Sequence, residues 1–494
     1  APRQDRMTHR PLRRRSLPIG LALMLGGCAL GPAYAPPTLE IPAAYRATPA
    51  SAASAWPGAA WWRGFGSAEL DGLIAQAREN NFDIAAAIAR VRQADAQARI
   101  AGSPLLPGIS AQGTDSWSRS ALQRRTAAGG TVRTGTYAES RSYTLQPSIS
   151  YEVDLWGRVR AGRDAAAATA LASRFDQQTV ALTVVTSVAS TWFQALALQD
   201  RLNVAARNIR DAETILTAIR ARQAAGTASL LDVSQQETLV AGLRTQVPAL
   251  RSQLEQQLNA LGILIGRPPS VVTVRPGTLA ALSLPEVAPG LPSELLARRP
   301  DVASAEAQLR AANADIRAAR ANFFPQVALS GAAGWQSLAL TTLFGPGSLF
   351  LNAAASATQS IFNNGLTAAQ VEQARGRYDE LLADYRKAVV QAFTDVENAV
   401  QAYRFATEQE ALQRDAVATA QRAADIARAQ LLAGTTDIVT ALQAQTALFN
   451  DLDALAQVRL SRFQALLSLY KALGGGWSAA DVVPPAQPLF QGIL

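Results

Sequence analysis

The chain has 494 residues, 49% hydrophobic, 6% aromatic and 17% charged, with a formal net charge of +8. Alanine dominates the apolar count, and alanine-rich sequence with few aromatics favours long, closely packed helices over a bulky globular core. The only histidine, His9, and the only cysteine, Cys28, lie near the N-terminus, so the remainder holds no Ser-His-Asp or Cys-His nucleophilic pair and no Cys/His metal set.

The first 27 residues read as an address. Arg10, Arg13, Arg14 and Arg15 form a basic stretch before the apolar run Leu17 to Leu25, which is too short to span a bilayer and fits the core of a secretory signal. Residues 1–6, before Met7, read as a tag remnant or an upstream start. Leu25-Gly26-Gly27-Cys28 looks like a bacterial lipobox, in which small residues expose the bond before the cysteine that is then acylated. No other cofactor is expected beyond this covalent diacylglycerol and N-acyl lipid on Cys28. Residue 29 is Ala rather than Asp, which by the same resemblance directs the lipoprotein to the outer membrane. Without the leader the net charge falls to +3, so the basic balance gives no reason to expect a nucleic-acid partner. Met7 and Met24 leave with it, which disfavours thioether ligands for soft metals.

Further along, helical sequence at about 82–102 leads to a strand at about 105–118. The next strand, 143–155, alternates throughout: Tyr143, Leu145, Pro147, Ile149, Tyr151, Val153 and Leu155 on one face, Thr144, Gln146, Ser148, Ser150, Glu152 and Asp154 on the other. A period of two with an apolar face for lipid and a polar face for water suits a membrane-crossing strand, although a half-buried strand of a soluble sandwich would alternate likewise. A long helix over 161–225 ends at Gly226, and a shorter one returns over about 229–263, with Pro248 expected to kink it.

The pattern then repeats. A helix at about 301–322 precedes strands at about 324–336 and 349–361, then a proline-free stretch from 366 to 433 and a returning helix at about 436–473. Val371, Tyr378 and Tyr385 recur at seven-residue spacing, as do Leu382, Val389, Val396 and Tyr403, which makes a coiled-coil stripe. At ~1.5 Å per residue such a helix is a rod of about 100 Å. Landmarks recur in order: Trp156-Gly157 with Asn364-Gly365, Gly226-Thr227 with Gly434-Thr435, Leu-Pro107-Gly-Ile-Ser with Phe-Pro325-Gln-Val-Ala, and Leu261-Gly262 with Leu473-Gly474. The chain reads as a tandem duplication. Four strands cannot close a barrel, and an open sheet edge is not tolerated in lipid, so oligomerisation is required; three copies give a twelve-stranded barrel.

These features, with Leu295-Leu296-Ala-Arg298-Arg299-Pro300-Asp301-Val302 and Phe323-Phe324-Pro325-Gln-Val-Ala-Leu-Ser330, resemble the outer membrane factors of the TolC/OprM type, and most closely their lipidated, NodT-like, multidrug-pump branch. The resemblance implies a mainly α fold with a small membrane β part: a duplicated helix–strand–strand–helix repeat forming a homotrimeric 12-stranded β-barrel joined to a long α-helical barrel. It divides the chain into a signal peptide (1–27), a lipidated N-terminal equatorial segment (28–66), a first repeat (67–263), an inter-repeat equatorial segment (264–300), a second repeat (301–473) and an equatorial tail (474–494). It implies outer-membrane lipid, a periplasmic adaptor and a proton-driven inner-membrane transporter as partners.

Carried onto this sequence, the turns at Gly226-Thr227 and Gly434-Thr435 match the adaptor-docking tips, though plain helix capping explains those glycines equally well. Asp232 matches a carboxylate near the periplasmic constriction, where three copies would gather cations, while an exposed helix charge is the simpler account. Where the family often has an aspartate after the second turn, this chain has Thr440 and Gln443, which weakens an acidic ring. The function implied is a passive, non-enzymatic exit duct of a tripartite efflux pump, with no Walker A signature to supply energy. The alternatives are the duct of a protein-secretion or metal-efflux system, or a periplasmic coiled-coil adaptor lipoprotein.

Overall fold

The computed structural model describes residues 34–46, 56–121, 137–287, 292–477 and 482. Cys28 lies outside the described residues, as do the remainder of the signal segment and most of the C-terminal tail. The first half contains helices α1 (Ala68–Asn80) and α2 (Phe82–Gly102), strands β1 (Gly108–Ala121) and β2 (Tyr137–Val153), and helices α3 (Arg158–Ala224) and α4 (Leu230–Leu264). The second half repeats the order with α5 (Pro292–Arg298), α6 (Pro300–Ala321), β3 (Gln326–Ser337), β4 (Leu349–Thr358), α7 (Leu366–Ala433) and α8 (Ile438–Ala472).

The duplication is closer in space than the landmarks suggested. Helices α4 and α8 each have 35 residues and stand 208 positions apart at both ends. The glycine equivalent to Gly474 is Gly266, 208 positions earlier, and not Gly262; Gly266 and Gly474 have φ of 68° and 86°, whereas Gly262 is helical. The segment from 264 to 300 is also more than a linker, because α5 within it is the counterpart of α1.

Two compact units divide the chain. One comprises Ala1–Ala35, Ala96–Ala167 and Arg310–Asp379, and the other Pro36–Asp95, Ala168–Leu309 and Glu380–Leu494. In the first, all four strands form one antiparallel sheet in the order β1-β2-β3-β4. Strand ends differ from the sequence expectation in an instructive way. Strand β2 begins at Tyr137 rather than 143 and pairs with β1 as far as Ala121↔Tyr137. On its outward face Glu139 and Arg141 replace apolar residues, so the hydropathy alternation that marks a strand in lipid is lost although the ladder continues. At the other end β2 stops at Val153, because Asp154 turns to cap α3 by accepting the Val159 N–H (3.1 Å) and the Arg160 N–H (2.9 Å). Strand β4 stops at Thr358, opposite Gln326, the first residue of β3, and not at 361.

In the second unit the few aromatics are gathered rather than spread. Trp61 stacks on Tyr470 with ring centroids 4.4 Å apart, and Phe193 meets Phe65 at 5.0 Å and Phe463 at 4.9 Å. These rings, with Leu70, Ile74, Val188 and Leu261, form the main core. One stretch of α3 is apolar and long enough to cross a membrane by composition. Its Val184, Val188, Trp192 and Phe193 are instead buried in this core. Along α7 the buried stripe passes through Val371, Leu381, Tyr385, Val389, Val396 and Ala399. Leu381, rather than the expected Leu382, takes the core position. Helix α4 continues through Pro248.

Both repeats close this core by the same device. Each helix break, Asn81 between α1 and α2 and Arg299 between α5 and α6, donates to the last carbonyl of the returning helix: Asn81 Nδ2 to Leu264 O at 2.9 Å, Arg299 Nη1 to Ala472 O at 3.3 Å. Beside them Gly266 and Gly474 lie against the Asn80 and Arg298 carbonyls, where a Cβ would come within 2.3 and 2.2 Å. Only glycine fits there, both for the approach and for the positive φ.

Candidate functional site: an open membrane sheet and paired helix tips

The sheet has two chemically distinct faces. Apart from Phe350, the large apolar groups stand at odd-numbered positions, and these are exposed: Ile109 at 78%, Leu351 at 82%, with Leu145, Ile149, Leu329 and Leu349 alongside. Even-numbered positions carry Ser110, Gln112, Thr114, Gln146, Ser148 and Asn352, with hydroxyl pairs across the ladder at Ser110–Ser148 and Ser118–Ser140, each 2.8 Å. A soluble sheet does not expose a continuous apolar face of this size; lipid is the solvent it suits. Near the far end of the hairpin the apolar face gives way to Trp117 and Tyr143, then to Arg141, which pairs with Asp115 (2.6 Å), and to Arg119 and Glu139 (3.4 Å). An aromatic level followed by ion pairs is the pattern of a membrane–water boundary. Glu152, on the polar face, is matched by Arg158 at 2.6 Å.

Among the described residues, the outer edges of β1 and β4 have no strand partner. In hydrocarbon each unpaired backbone group costs several kcal/mol, so this sheet cannot stand alone there.

The sequence singled out the turns between helices, and the structure places those residues as follows. Gly226 (φ 75°) and Gly434 (φ 72°) end α3 and α7. The N–H groups of Thr227 and Thr435 reach back to the Arg222 carbonyl (2.8 Å) and the Gln430 carbonyl (2.9 Å), and those of Gly226 and Gly434 to Gln223 and Leu431. Both ends are therefore Schellman closures, and the two glycines are fully accounted for by capping. Asp232 is likewise a capping residue: its carboxylate accepts the Ser229 N–H at 2.8 Å while Ser229 Oγ accepts the Asp232 N–H at 3.1 Å. In the second repeat the pair is inverted. Asp437 stands where Ser229 does and accepts both the N–H (2.8 Å) and the hydroxyl (2.9 Å) of Thr440, which stands where Asp232 does. These two bonds hold the Asp437 carboxyl below its ordinary range. Each repeat thus carries one tip carboxylate, at Asp232 and Asp437; Gln443 is exposed on α8 one turn further on. The sequence comparison placed the second acid by position after the turn and so passed over Asp437, which only the cap geometry identifies as the counterpart.

Three further groups were assigned no role from the sequence, although Arg299 and Asp301 lie in a motif that carries the family resemblance. Arg222 bridges the two tips, with Nη1 donating to Leu431 O and Nη2 to Thr227 O at 3.4 Å. Arg299 is buried between Asp301 (2.6 Å) and Asp395 (2.9 Å); burial opposes its charge, but the two carboxylates outweigh burial and raise its pKa. Glu410 is almost fully buried among Arg414, Arg459 and Arg462; burial pushes its carboxyl up, and the three guanidinium groups more than reverse this. Among the described residues no cluster of His, Cys, Asp and Glu has the arrangement of a metal site.

The outer membrane efflux protein family matches this sequence over residues 73–267 and 291–475. The chain belongs to that family. It is 40% identical over 462 residues to the pyoverdine export outer membrane protein OpmQ of Pseudomonas aeruginosa, covering 93% of this chain and 96% of that protein. It is 34% identical over 462 residues to the toluene efflux pump outer membrane protein TtgC of Pseudomonas putida, covering 92% and 94% respectively. The solved outer-membrane channel OprN superposes with a TM-score of 0.83 at 26% identity, covering 91% of this chain and 100% of that one. The protein is thus an outer-membrane efflux channel whose fold is the helical-barrel and β-barrel architecture of its relatives. An adaptor lipoprotein, the other reading of the long helices and the lipobox, is set aside by the same matches.

Proposed function

We propose that three copies of this chain form a passive exit duct for small molecules, closed in the outer membrane by their pooled strands and tethered there by lipid on Cys28. The observation that carries this reading is the four-stranded sheet with an exposed apolar face and two unpaired edges. A sheet of that kind is satisfied in lipid only by closure with further copies. Its even-numbered face, lined with hydroxyl and amide side chains, would wet the interior without binding any one solute tightly. The relatives' names point the same way. Similar chains serve pyoverdine export and toluene efflux, two dissimilar cargoes, which fits a duct that follows its pump rather than choosing a substrate.

On this reading the chain catalyses no reaction, and energy comes from a proton-driven transporter in the inner membrane through a periplasmic adaptor. The tips at Gly226-Thr227 and Gly434-Thr435 are the docking candidates, and Asp232 and Asp437, with Thr440 and Gln443 beside the latter, line the periplasmic constriction. Support for an acidic ring comes from the two carboxylates' places in the N-terminal caps of the two returning helices, Asp232 at the third helical position of α4 and Asp437 at the capping position of α8. The test is reconstitution into planar bilayers after outer-membrane fractionation. A heat-modifiable trimer that conducts, with cation preference reduced in the double variant Asp232→Asn, Asp437→Asn, is expected. A monomer without conductance refutes the duct, and an unchanged ion preference refutes the ring alone.

A further inference from the structure

Charge is shared unevenly between the two strand pairs. Between Arg320 and Glu372 the sequence has no charged side chain, and that stretch holds β3, β4 and the loop joining them. The first pair carries Asp115, Arg119, Glu139 and Arg141. Strand register compares the two at equal height. Strand β3 ends at Ser337, opposite Tyr143, while β2 runs on to Tyr137 beside β1. Just above Tyr143 the first hairpin turns to ion pairs, Arg141 with Asp115 and Arg119 with Glu139. At that same level the second hairpin makes its loop, residues 338–348, and leaves Leu338, Leu340 and Phe344 exposed by 77%, 63% and 68%. Bare leucines beside one another at a loop tip are costly in water and mark a surface that meets something apolar.

The fold of the loop says which way it leans. A short 3-10 turn at Leu340–Thr342 bends the chain, and Phe344 meets Trp335 edge-on, with ring centroids 5.5 Å apart. Trp335 stands opposite Leu145 on the odd-numbered face. The ring contact therefore draws the loop toward the lipid side of the sheet and away from the pore. Its backbone is largely self-satisfied. The N–H groups of Thr342, Leu343, Gly345 and Ser348 donate to carbonyls inside the loop at 3.0–3.3 Å, that of Ala339 donates to Ser337 Oγ at 3.3 Å, and Pro346 has none to satisfy. The hydroxyls of Ser337 and Thr342 pair at 2.6 Å, and Ser348 Oγ donates to Gly345 O at 2.7 Å. Internal pairing of polar groups is what a segment needs before it can leave water.

We infer that the β3–β4 loop inserts into the outer leaflet, laying Leu340 and Phe344 at the boundary of acyl chains and headgroups, while the β1–β2 hairpin projects into the medium. The inference rests on the odd-numbered face being the lipid face, and adds a loop that stays in the membrane where its counterpart leaves it. The occupant is lipid because the loop's apolar side chains continue the exposed row of Leu349 and Leu351 on that face, and an uncharged stretch offers no ion pair to a protein partner. Trp335 beneath Phe344 adds an indole of the kind that favours this depth. Functionally the loop is an anchor: it resists vertical movement of the second hairpin, and it leaves the charged hairpin to meet whatever approaches from outside.

Nitroxide labels on the full chain, reconstituted in vesicles of phosphatidylethanolamine and phosphatidylglycerol, test the depth. Leu340→Cys and Phe344→Cys report the loop, Ile149→Cys the lipid face and Ser120→Cys the upper part of the first hairpin; the parent chain, whose one cysteine is Cys28, gives the blank. Power saturation with oxygen, which partitions into lipid, against a water-soluble nickel chelate gives each label's surroundings. The ratio of oxygen to nickel accessibility at both loop positions should lie near that of Ile149→Cys and about tenfold above that of Ser120→Cys. Adding Leu340→Asp to Phe344→Cys should abolish the preference for oxygen, because a carboxylate is not tolerated at that depth. Loop labels that match Ser120→Cys while Ile149→Cys stays in lipid overturn the insertion and leave the membrane sheet standing. Loop labels shielded from both reagents overturn it too, and assign the loop to another copy or to the pore. A water-exposed label at Ile149→Cys overturns the lipid face itself.

Discussion

The first and second repeats share a backbone and differ in chemistry, and where they differ is informative. At the helix breaks, the first repeat uses a neutral amide, Asn81, and the second a charged guanidinium, Arg299, to reach the same terminal carbonyl. At the tips, a Ser–Asp cap is answered by an Asp–Thr cap with the acid moved from the third helical position to the capping one. Beside them the glycines at 226 and 434, and at 266 and 474, are retained with nearly the same φ. Duplication holds what the backbone requires, because few side chains tolerate positive φ and none fits where a Cβ would meet a carbonyl. It relaxes what several side chains can do equally well.

If that division is right, substitutions at matched positions should separate by cause. The largest effect is expected at Gly474→Ala, where a Cβ would collide with backbone that cannot give way: a loss above about 3 kcal/mol, against about 1 kcal/mol for Gly226→Ala, where the added methyl meets open space. Thermal unfolding in detergent should order them so; equal shifts would mean that the backbone at Arg298 and Arg299 relaxes around the methyl group. Next, Arg299→Ala should cost about 2–3 kcal/mol because it leaves two carboxylates facing each other without a counter-charge, whereas Asn81→Ala should cost about 1–2 kcal/mol. The paired melts would contradict the comparison if the amide proved the more important.

Acid should expose another asymmetry, since the three-arginine cluster around Glu410 has no counterpart that the first repeat's ion pairs reproduce. A carboxyl whose folded pKa is depressed stabilises above its unfolded pKa and loses that contribution as pH falls through the folded one. Melting temperature should therefore drop on acidification from about pH 4.5 downward, and Glu410→Gln should flatten that slope while lowering stability at neutral pH. An unchanged slope in the variant would assign the acid sensitivity elsewhere. At the tips, Ser229→Ala and Asp437→Ala remove equivalent caps and should each cost about 1 kcal/mol, locally, seen as faster amide exchange in the first turns of α4 and α8. The smallest effect is expected from Cys28→Ala, which should restore drug tolerance to a deletion strain as well as the natural chain does; failure of that variant to trimerise would make the lipid part of assembly rather than a tether.

Long elements were legible because their signals are periodic. The rods, the returning helices and α2 were placed within a few residues, since each repeats an apolar spacing over many turns or ends at a glycine with a stated conformational need. Strand ends were not, because their alternation depends on the medium: β2 continues past Tyr143 with Glu139 and Arg141 on the face that is apolar lower down, and Asp154 leaves the strand to cap a helix. The acids at the tips were half legible. Asp232 was singled out by the family resemblance, and Asp437 was passed over because its part in the second cap lies in hydrogen bonding rather than in spacing.

By itself, then, the sequence determined that this chain is written twice, that each copy holds a pair of strands between long helices, and that four strands are too few to seal a membrane pore. Those are statements about neighbours along the chain and about what a lone segment cannot satisfy. Only the tertiary structure decided which glycines match, which carbonyl each helix break serves, how the strands register and which apolar residues are left bare. Most of these depend on contacts between residues about 170 or more positions apart, such as Asn81 with Leu264 and Trp156 with Phe324, and no local propensity encodes such distances.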